Sequence, residues 1–332
     1  MVDVITIGSA TRDVFLKSGL FKVLRDPKHL ESVGFPTGEA QCFALGSKIT
    51  VDSFTRTAGG DAANAAVTFA RQGLSTAMIA KMGDDESGRE IAKELASEHV
   101  AILNEAQKGE TDYATILLVP NGERTILVHR GTPIQRKGIP FSKLKAQWAY
   151  IAPANIDAPI MRDIFATLKK NNVKIALNPS RHYIARNAKD LKMMIAQADV
   201  VIANREEVAE LTDTPFNDEK KLFKKFDAMV NGIAIMTDGS RGALASDGQT
   251  VYRCSTFKEK VVEGRTGAGD AFGSGFVAGF IRSNDICYAL RLASANATSV
   301  IEHIGAQIGI LSKKDFENKR WKYLNLDVEP LY

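Results

Sequence analysis

Cysteine is scarce in this sequence, and its positions exclude two classes of protein. The 332 residues contain three cysteines, Cys42, Cys254 and Cys287. They are odd in number and far apart, and no C-x-x-C pair occurs, so neither a disulfide framework nor a cysteine-ligated zinc site is expected. A reducing compartment suits such a chain, and we expect a cytoplasmic protein.

Long apolar runs and a strong excess of one charge are also missing. No apolar segment approaches the roughly eighteen residues that a membrane helix needs, and residues 2–7 read as a strand rather than as the start of a signal peptide. The 43 basic and 39 acidic residues give a formal charge of +4. No window concentrates basic side chains enough to predict a nucleic-acid surface. We therefore expect a soluble protein with neither a membrane nor a nucleic acid as partner.

Two common nucleotide-binding motifs are absent. No G-x-x-x-x-G-K-[ST] occurs, which excludes a P-loop nucleotide hydrolase at the level of the motif. No G-x-G-x-x-G follows the first strand; Gly267, Gly269 and Gly273 are only superficially similar to it, come late in the chain and enclose Asp270. A nicotinamide-dependent oxidoreductase is therefore poorly supported.

Apolar strands alternate with helical patterns over most of the chain. The sequence predicts strands at 4–8, 76–82, 149–151, 174–177, 200–202 and 232–236, and helices at 61–72, 159–170, 191–197, 205–211, 220–229, 268–282 and 286–302. Continuous apolar strands separated by helices indicate a doubly wound α/β fold, in which a mostly parallel sheet has helices on both faces.

Two segments interrupt this alternation. Residues of about 15–57 are rich in turn-forming residues and contain short strand candidates such as 48–51. Residues of about 109–131 predict a hairpin with strands at 115–119 and 125–129 and Asn121-Gly122 at its turn. We expect a single domain over residues 1–332, with a small β-rich lid contributed by these two segments. A lid beside the carboxyl ends of parallel strands would close a ligand off from water.

The glycine-rich turn at 264–272 carries the most chemical information. Gly267, Ala268 and Gly269 allow a sharp turn just before a helix, and the free N–H groups at a helix start bind anions such as phosphate. Asp270 falls in the first helical turn, where its charge would repel a phosphate. That position is explained if Asp270 accepts a proton from a hydroxyl that attacks a phosphoryl group. Alternatively, Asp270 only completes the helix N-terminus.

A second glycine pair, Gly59-Gly60, also precedes a helix. Paired glycines let the backbone approach a ligand closely, and Asp61 and Asn64 in the first turn could bind the hydroxyls of a polyol. Asp13, just past the first strand, could do the same. The structural alternative makes Asp61 a helix cap and Asn64 a tolerated helix residue.

Two further polar segments follow strands. Asn204 and Glu207 have the spacing of a capping box, but they could also handle phosphate and hydrated magnesium. Thr237, Gly239 and Gly242 join two strands, so they either form a tight turn or contact a nucleotide.

Taken together, these segments resemble the pfkB, or ribokinase-like, family of carbohydrate and nucleoside kinases. The similarity lies in Gly59-Gly60-x-x-x-Asn64-x-Ala66, Asn204-x-x-Glu207, Thr237-x-Gly239-x-x-Gly242 and Gly267-Ala268-Gly269-Asp270-x-Phe272. It covers nearly the whole chain, in family order.

The resemblance implies a kinase that transfers the γ-phosphoryl group of ATP to a primary hydroxyl, with Asp270 as base and the backbone of residues 267–269 as anion hole. On the nucleotide side it implies Asn204, Glu207, Thr237, Gly239, Gly242 and Asn296, with Glu207 serving Mg²⁺ through water. On the acceptor side it implies Asp13, Gly59, Gly60, Asp61 and Asn64. It also implies a homodimer formed through the lid.

Four positions depart from the family pattern. Gly264 and Arg265 replace an Asp-Thr pair, and because that aspartate helps to organise a monovalent-cation site, activation by potassium is in question. Arg265 is a candidate phosphate ligand. Asp61 stands where ribokinases carry lysine, and Thr11 stands where they carry asparagine. Ribose is therefore not assigned as the acceptor.

Alternative acceptors and roles remain. A nucleoside would need aromatic lid side chains, which Phe35, Phe43 and Phe54 could supply unless they form a core of the lid itself. A sugar acid would need a cation, and Arg130 or Arg12 could provide it. A kinase-like scaffold without activity is less favoured, because the base and the anion hole are both present.

Overall fold

Strands and helices alternate along most of the chain. The computed structural model describes residues 2–35, 38–120, 122–154 and 156–330. In chain order the elements are β1 (Val2–Ser9), β2 (Thr11–Lys17), β3 (Lys22–Arg25), α1 (Pro27–Ser32), β4 (Glu39–Cys42), β5 (Ser53–Gly59), α2 (Asp61–Arg71), β6 (Thr76–Lys81), α3 (Glu86–Ser97), β7 (Ala101–Ile102), β8 (Asp112–Leu118), β9 (Arg124–His129), β10 (Ala146–Ile151), α4 (Ala158–Lys170), β11 (Lys174–Leu177), α5 (Arg181–Ile195), β12 (Val200–Asn204), α6 (Arg205–Thr212), α7 (Glu219–Asp227), β13 (Ile233–Thr237), β14 (Ala243–Ser246), β15 (Thr250–Cys254), α8 (Ala268–Ser283), α9 (Ile286–Ile301), α10 (Lys313–Phe316) and β16 (Leu326–Pro330).

A ten-stranded sheet forms the body, in the order β16-β15-β14-β13-β12-β11-β10-β1-β6-β7. The strands from β13 to β7 in this order pair in parallel, and β14, β15 and β16 form an antiparallel edge. One face packs against α4 to α7 and the other against α2, α8 and α9, so the central strands are buried on both faces. The doubly wound fold is confirmed. Over the described ranges, no helix combines the length and apolarity that crossing a bilayer requires.

A smaller sheet is continuous with the large one. Its order is β5-β2-β8-β9, with β2 and β8 parallel and the other two pairs antiparallel. Its own core contains Phe15, Ile116 and Leu118, and β3 and β4 form a separate ribbon. Because Ala10 alone separates β1 from β2, the smaller sheet continues from a central strand of the body.

The structure corrects one expectation within the lid. Residues 48–51 form no strand, and pairing begins at Ser53. Ile49 and Val51 instead pack against a cluster that includes Phe21 and Leu117. Their alternation therefore reflects burial against the smaller sheet rather than strand pairing. Asn121, predicted at the hairpin turn, lies outside the described residues.

Candidate active site

A pocket of about 210 Å³ lies at the carboxyl ends of the central parallel strands. Its lining comes from the residues at the ends of β11, β12 and β13 and from the starts of α2, α6 and α8. These residues are Asp61, Asn178, Ser180, Ile202, Ala203, Asn204, Glu207, Thr237, Gly269 and Asp270. The sequence predicts six of them: Asp61, Asn204, Glu207, Thr237, Gly269 and Asp270. This edge of an open α/β sheet is where ligands characteristically bind.

The turn before α8 has the geometry of an anion site. Gly267 has a φ of 83°, and a Cβ added to it would lie 2.5 Å from the Cβ of Ala306, so a side chain is excluded there. The Ala271 N–H donates to the Gly267 carbonyl at 2.9 Å, and the N–H groups of Gly269 and Asp270 precede this first helical bond. An added Cβ on Gly269 would meet no atom within 4 Å. The backbone is therefore open towards the pocket.

Asp270 is held by a residue from the other glycine segment. The Asn64 Nδ2 donates to Asp270 Oδ2 at 2.8 Å, although the two residues are 206 positions apart. The Gln307 Nε2 in turn donates to Asn64 Oδ1 at 3.0 Å, which fixes the orientation of the amide. The contact brings together the two segments that most resemble a family signature.

The carboxylates of the site raise one another's proton affinity. Burial is the main cause that raises the pKa of Asp270 well above its usual range, and the charge of Asp61 adds to it, whereas the hydrogen bond from Asn64 opposes it. Burial likewise raises the pKa of Asp61, and the positive charge of Arg130 opposes that rise. Asp270 therefore binds a proton more tightly than an ordinary aspartate does.

The glycine pair before α2 leaves room for Asp13. A Cβ added to Gly59 would lie 2.0 Å from Asp13 Oδ2, and one added to Gly60, whose φ is 96°, would lie 2.7 Å from the Ser9 carbonyl oxygen. The negative charge of Asp13 contributes to the raised pKa of Asp270. Asp13 thus lies near Asp270, against a backbone that tolerates no side chain.

The two candidate cations differ in position. Arg12 is buried, and its Nη1 lies 2.8 Å from Glu94 Oε1, on the side of β2 that faces α3. Arg130 is 46% exposed, and its Nη1 lies 3.6 Å from Asp112 Oδ2. Because its charge also acts on Asp61, Arg130 is the one of these two cations that lies near the site.

On the nucleotide side, Asn204 and Glu207 form a true capping box at the start of α6. The Glu207 N–H donates to Asn204 Oδ1 at 2.9 Å, and the Asn204 N–H donates to Glu207 Oε2 at 2.8 Å. These bonds fix both side chains at the pocket wall. Beyond Thr237, Gly242 has a φ of 90°, and an added Cβ would lie 1.9 Å from the Cys254 carbonyl oxygen.

The donor set of the pocket fits Mg²⁺ bound together with phosphates. In the part of the chain that the structure describes, no three Asp, Glu, His or Cys side chains are placed to hold a metal by themselves. Mg²⁺ commonly uses one or two carboxylates, several waters and substrate phosphates. Glu207 and Asp61, which both line the pocket, are such carboxylates.

Four predicted nucleotide contacts, Gly239, Gly242, Arg265 and Asn296, are not among the pocket lining. Arg265 is half-exposed, and its Nε lies 3.4 Å from Glu123 Oε1. Asn296 is buried; its Nδ2 donates to the Ala271 carbonyl, and its Oδ1 accepts from the Leu311 N–H, both at 2.9 Å. These bonds join α9 to α8 and to the segment after α9, which is a structural role.

The family model for "pfkB family carbohydrate kinase" matches residues 28–314. The chain belongs to the pfkB family of carbohydrate kinases. A ribokinase from Lactococcus lactis is 29% identical over 80% of the chain and 86% of its own length. An ATP-dependent 6-phosphofructokinase from Thermoanaerobacterium thermosaccharolyticum is 24% identical over 80% and 85%. The crystal structure of adenosine kinase from Sinorhizobium meliloti aligns with a TM-score of 0.76 at 20% identity, over 92% and 95% of the two chains.

These pfkB relatives carry names with three different acceptors. Membership establishes a transferase, an ATP-dependent carbohydrate kinase, whose acceptor is a small molecule. The crystal structure at 20% identity shows the shared fold alone. The acceptor must therefore be argued from the site of this pfkB kinase itself.

Some residues of the kinase site carry little signal in the sequence. Asn178 directly follows β11, and a polar residue at a strand end is a detectable signal. Gln307 stands in an irregular segment that carries no such signal.

Lys81 Nζ and Asp112 Oδ1 form an ion pair in which the side chains are 2% and 0% exposed. This pair joins β6 of the body to β8 of the smaller sheet, and no local pattern relates the two positions.

The acid limb of the kinase pH profile should lie near neutrality. Burial raises the pKa of Asp13 and of Glu207 to about 7 each, and that of Asp270 is also raised. Acceptor binding and proton removal need ionised carboxylates, so kcat/KM for the acceptor should fall as the pH drops through about 7. An ordinary carboxyl would place the limb near about 4. A profile of kcat/KM that stays flat down to about pH 5.5 would contradict this expectation.

Proposed function

We propose that this kinase transfers the γ-phosphoryl group of ATP to a primary hydroxyl of a small sugar. The contact between Asn64 Nδ2 and Asp270 Oδ2 at 2.8 Å carries the proposal. In this proposal, the half-buried carboxylate of Asp270 lies between the acceptor segment and the anion site at the start of α8. A base in that position can meet an acceptor hydroxyl and a phosphoryl group at once.

In the proposed reaction, Asp270 accepts the proton of the acceptor hydroxyl. The hydroxyl oxygen forms a bond to the γ-phosphorus while the bond from that phosphorus to the β–γ bridging oxygen breaks, and ADP leaves. The N–H groups of Gly269 and Asp270 and the positive end of α8 stabilise the charge that develops on the transferred group. The side chain of Asp270 is oriented for this by Asn64 and Gln307.

The charges around the acceptor side favour a neutral sugar. Asp13, Asp61 and Asp270 face it, and ionised carboxylates accept hydrogen bonds well from hydroxyl groups. Arg130 is the cation there, and Asp112 already lies beside it. An acidic acceptor would meet more negative than positive charge, whereas a polyol would satisfy the carboxylates.

On the nucleotide side, we assign Asn204, Thr237, Gly239 and Gly242 to ATP and Glu207 to hydrated Mg²⁺. When bound, Mg²⁺ would neutralise charge on the β- and γ-phosphates. Arg265 is proposed to contact phosphate from the turn before α8. Asn296 contributes from a distance, by holding α8 against α9.

ADP release from ATP·Mg²⁺ across pentoses, hexoses, sugar acids and nucleosides tests the proposal. Turnover on a neutral sugar that disappears in Asp270→Asn is the expected result. Turnover on nucleosides alone would show that the acceptor is a nucleoside rather than a sugar. The exposed Phe35 and Phe54 could then provide stacking surfaces for its base. Phe43 already makes an edge contact with Phe21. ATP binding without turnover on any acceptor would favour a scaffold.

We also propose a homodimer formed through the smaller sheet. By the pairing register, Phe54 and Leu127 point to one face of this sheet and are 64% and 57% exposed. Ile126 and Val128 point to the other face and are 41% and 46% exposed. Apolar exposure on this scale marks interaction surfaces. Light scattering during size exclusion should give twice the mass of the chain, and Leu127→Lys should shift the equilibrium towards monomer. A monomeric wild-type protein at micromolar concentration would contradict this proposal.

A further inference from the structure

Tyr150 is a buried polar residue near the site that the reaction described above does not use. It is the next-to-last residue of β10 and is 1% exposed. Its hydroxyl makes no hydrogen bond with any group in the described ranges. Buried hydroxyls normally have a partner, so this one requires a physical explanation.

The position of the hydroxyl is fixed by a glycine of α8. A Cβ added to Gly273 would lie 2.7 Å from the Tyr150 hydroxyl oxygen and 3.1 Å from Asn178 Nδ2. Asn178 lines the pocket. Gly273 follows Asp270 by three residues and so lies on the same face of α8. The hydroxyl therefore lies close to Asn178 of the pocket wall and about one helical turn along α8 from Asp270.

The charges around this hydroxyl keep it protonated. Burial raises the pKa of Tyr150 well above its usual value, and the negative charges of Asp270 and Asp61 raise it further. The phenol therefore stays protonated throughout the working range. A neutral hydroxyl next to carboxylates acts as a hydrogen-bond donor, and such a donor stabilises the ionised carboxylate.

We propose that Tyr150 is a positioning residue for the base: its hydroxyl donates through one bridging water to the Asp270 carboxylate and holds it ionised and oriented towards the acceptor. Asn64 supports the same carboxylate from α2, and Tyr150 supports it from beneath. The inference rests on the proposed role of Asp270. Tyr150 touches neither ATP nor the acceptor.

Tyr150→Phe removes the hydroxyl oxygen and leaves the ring in place. The variant should lower kcat about tenfold, the equivalent of one hydrogen bond to a charged group, with KM for ATP and for the acceptor within about twofold of wild type. Tyr183→Phe is the matched control. Tyr183 is also 1% exposed, and its hydroxyl also lacks a partner in the described residues. It lies on α5, across the sheet, so its kcat should not change.

A double-variant cycle separates positioning from packing. In an Asp270→Asn background, Tyr150→Phe should lower kcat no further, because the carboxylate that Tyr150 supports is gone. Equal kcat for the two Tyr→Phe variants, or an additive loss in the Asp270→Asn background, would overturn the inference. Normal turnover by Asp270→Asn alone would instead overturn the proposed function.

A second variant keeps the test independent of the tyrosine substitution. Gly273→Ala places a methyl group against the Tyr150 hydroxyl and should lower kcat by a similar factor. Tyr150→Phe lacks the oxygen at the 2.7 Å contact. The double variant Gly273→Ala, Tyr150→Phe should therefore have the same kcat as Tyr150→Phe alone. Losses that multiply in the combined variant would refute the placement of the hydroxyl.

Discussion

Asp270→Asn should lower kcat by about 10²–10⁴-fold, the usual contribution of a general base. Asparagine keeps the shape of the side chain and can still pair with Asn64 after its amide rotates, but it cannot accept the proton of the acceptor hydroxyl. ATP binding should be largely unchanged, because the backbone that contacts phosphate remains. Steady-state kinetics with saturating ATP, together with titration of ATP, measures both quantities.

Asp285→Asn provides a matched control for this substitution. Asp285 also lies at the start of a helix, and its carboxylate accepts from the Cys287 N–H at 2.7 Å. It lies past the opposite end of α8 from Asp270, roughly 20 Å away along that helix. Since asparagine is as good a cap as aspartate, this variant should retain wild-type kcat. Turnover near wild type in Asp270→Asn would exclude Asp270 as the base.

Asp112→Leu should lower the free energy of unfolding by about 3–5 kcal/mol. The substitution leaves the buried ammonium group of Lys81 without its counter-charge, and it also removes the acceptor of the Gly131 N–H, which donates to Asp112 Oδ1 at 2.7 Å. That loss is a large part of the about 5–15 kcal/mol available to a typical protein. Equilibrium unfolding in urea measures it.

The double variant Lys81→Met, Asp112→Leu should recover most of this loss, because it removes both charges from the interior. A surface pair supplies the comparison: Arg162 Nη1 lies 3.0 Å from Asp190 Oδ1, and Arg162 is 54% exposed. Breaking that pair should cost less than about 1 kcal/mol. If Asp112→Leu cost no more than Asp190→Asn, the buried pair would not stabilise the junction between the two sheets.

An element of this fold can be predicted from the sequence when neighbouring residues alone determine it. The parallel strands and long helices follow from local periodicity, and Lys174–Leu177 was recoverable to the residue. The glycine turns also carry local signals, since few other residues tolerate such backbone positions. Residues 48–51 show the limit: their alternating pattern arises from packing against Phe21 and Leu117, which only the fold reveals.

The electrostatic part of the site could not be predicted in the same way. Lys81, Asp112 and Tyr150 look like ordinary strand residues, and their importance arises from elements that meet only in three dimensions. The bonds of Asn296 also depend on the fold, because its amide joins α9 to α8 and to the segment after α9.

The proposed acceptor side is built partly on the smaller sheet and the proposed nucleotide side on the large one. Asp13 lies on β2, and Asp61 and Asn64 follow β5, both strands of the smaller sheet; Asn204 and Thr237 end strands of the large one. Occupancy of the acceptor site and the placement of the smaller sheet are therefore thermodynamically linked. A second protomer docked on that sheet would change acceptor affinity by some factor, and acceptor binding would strengthen or weaken the dimer by the same factor.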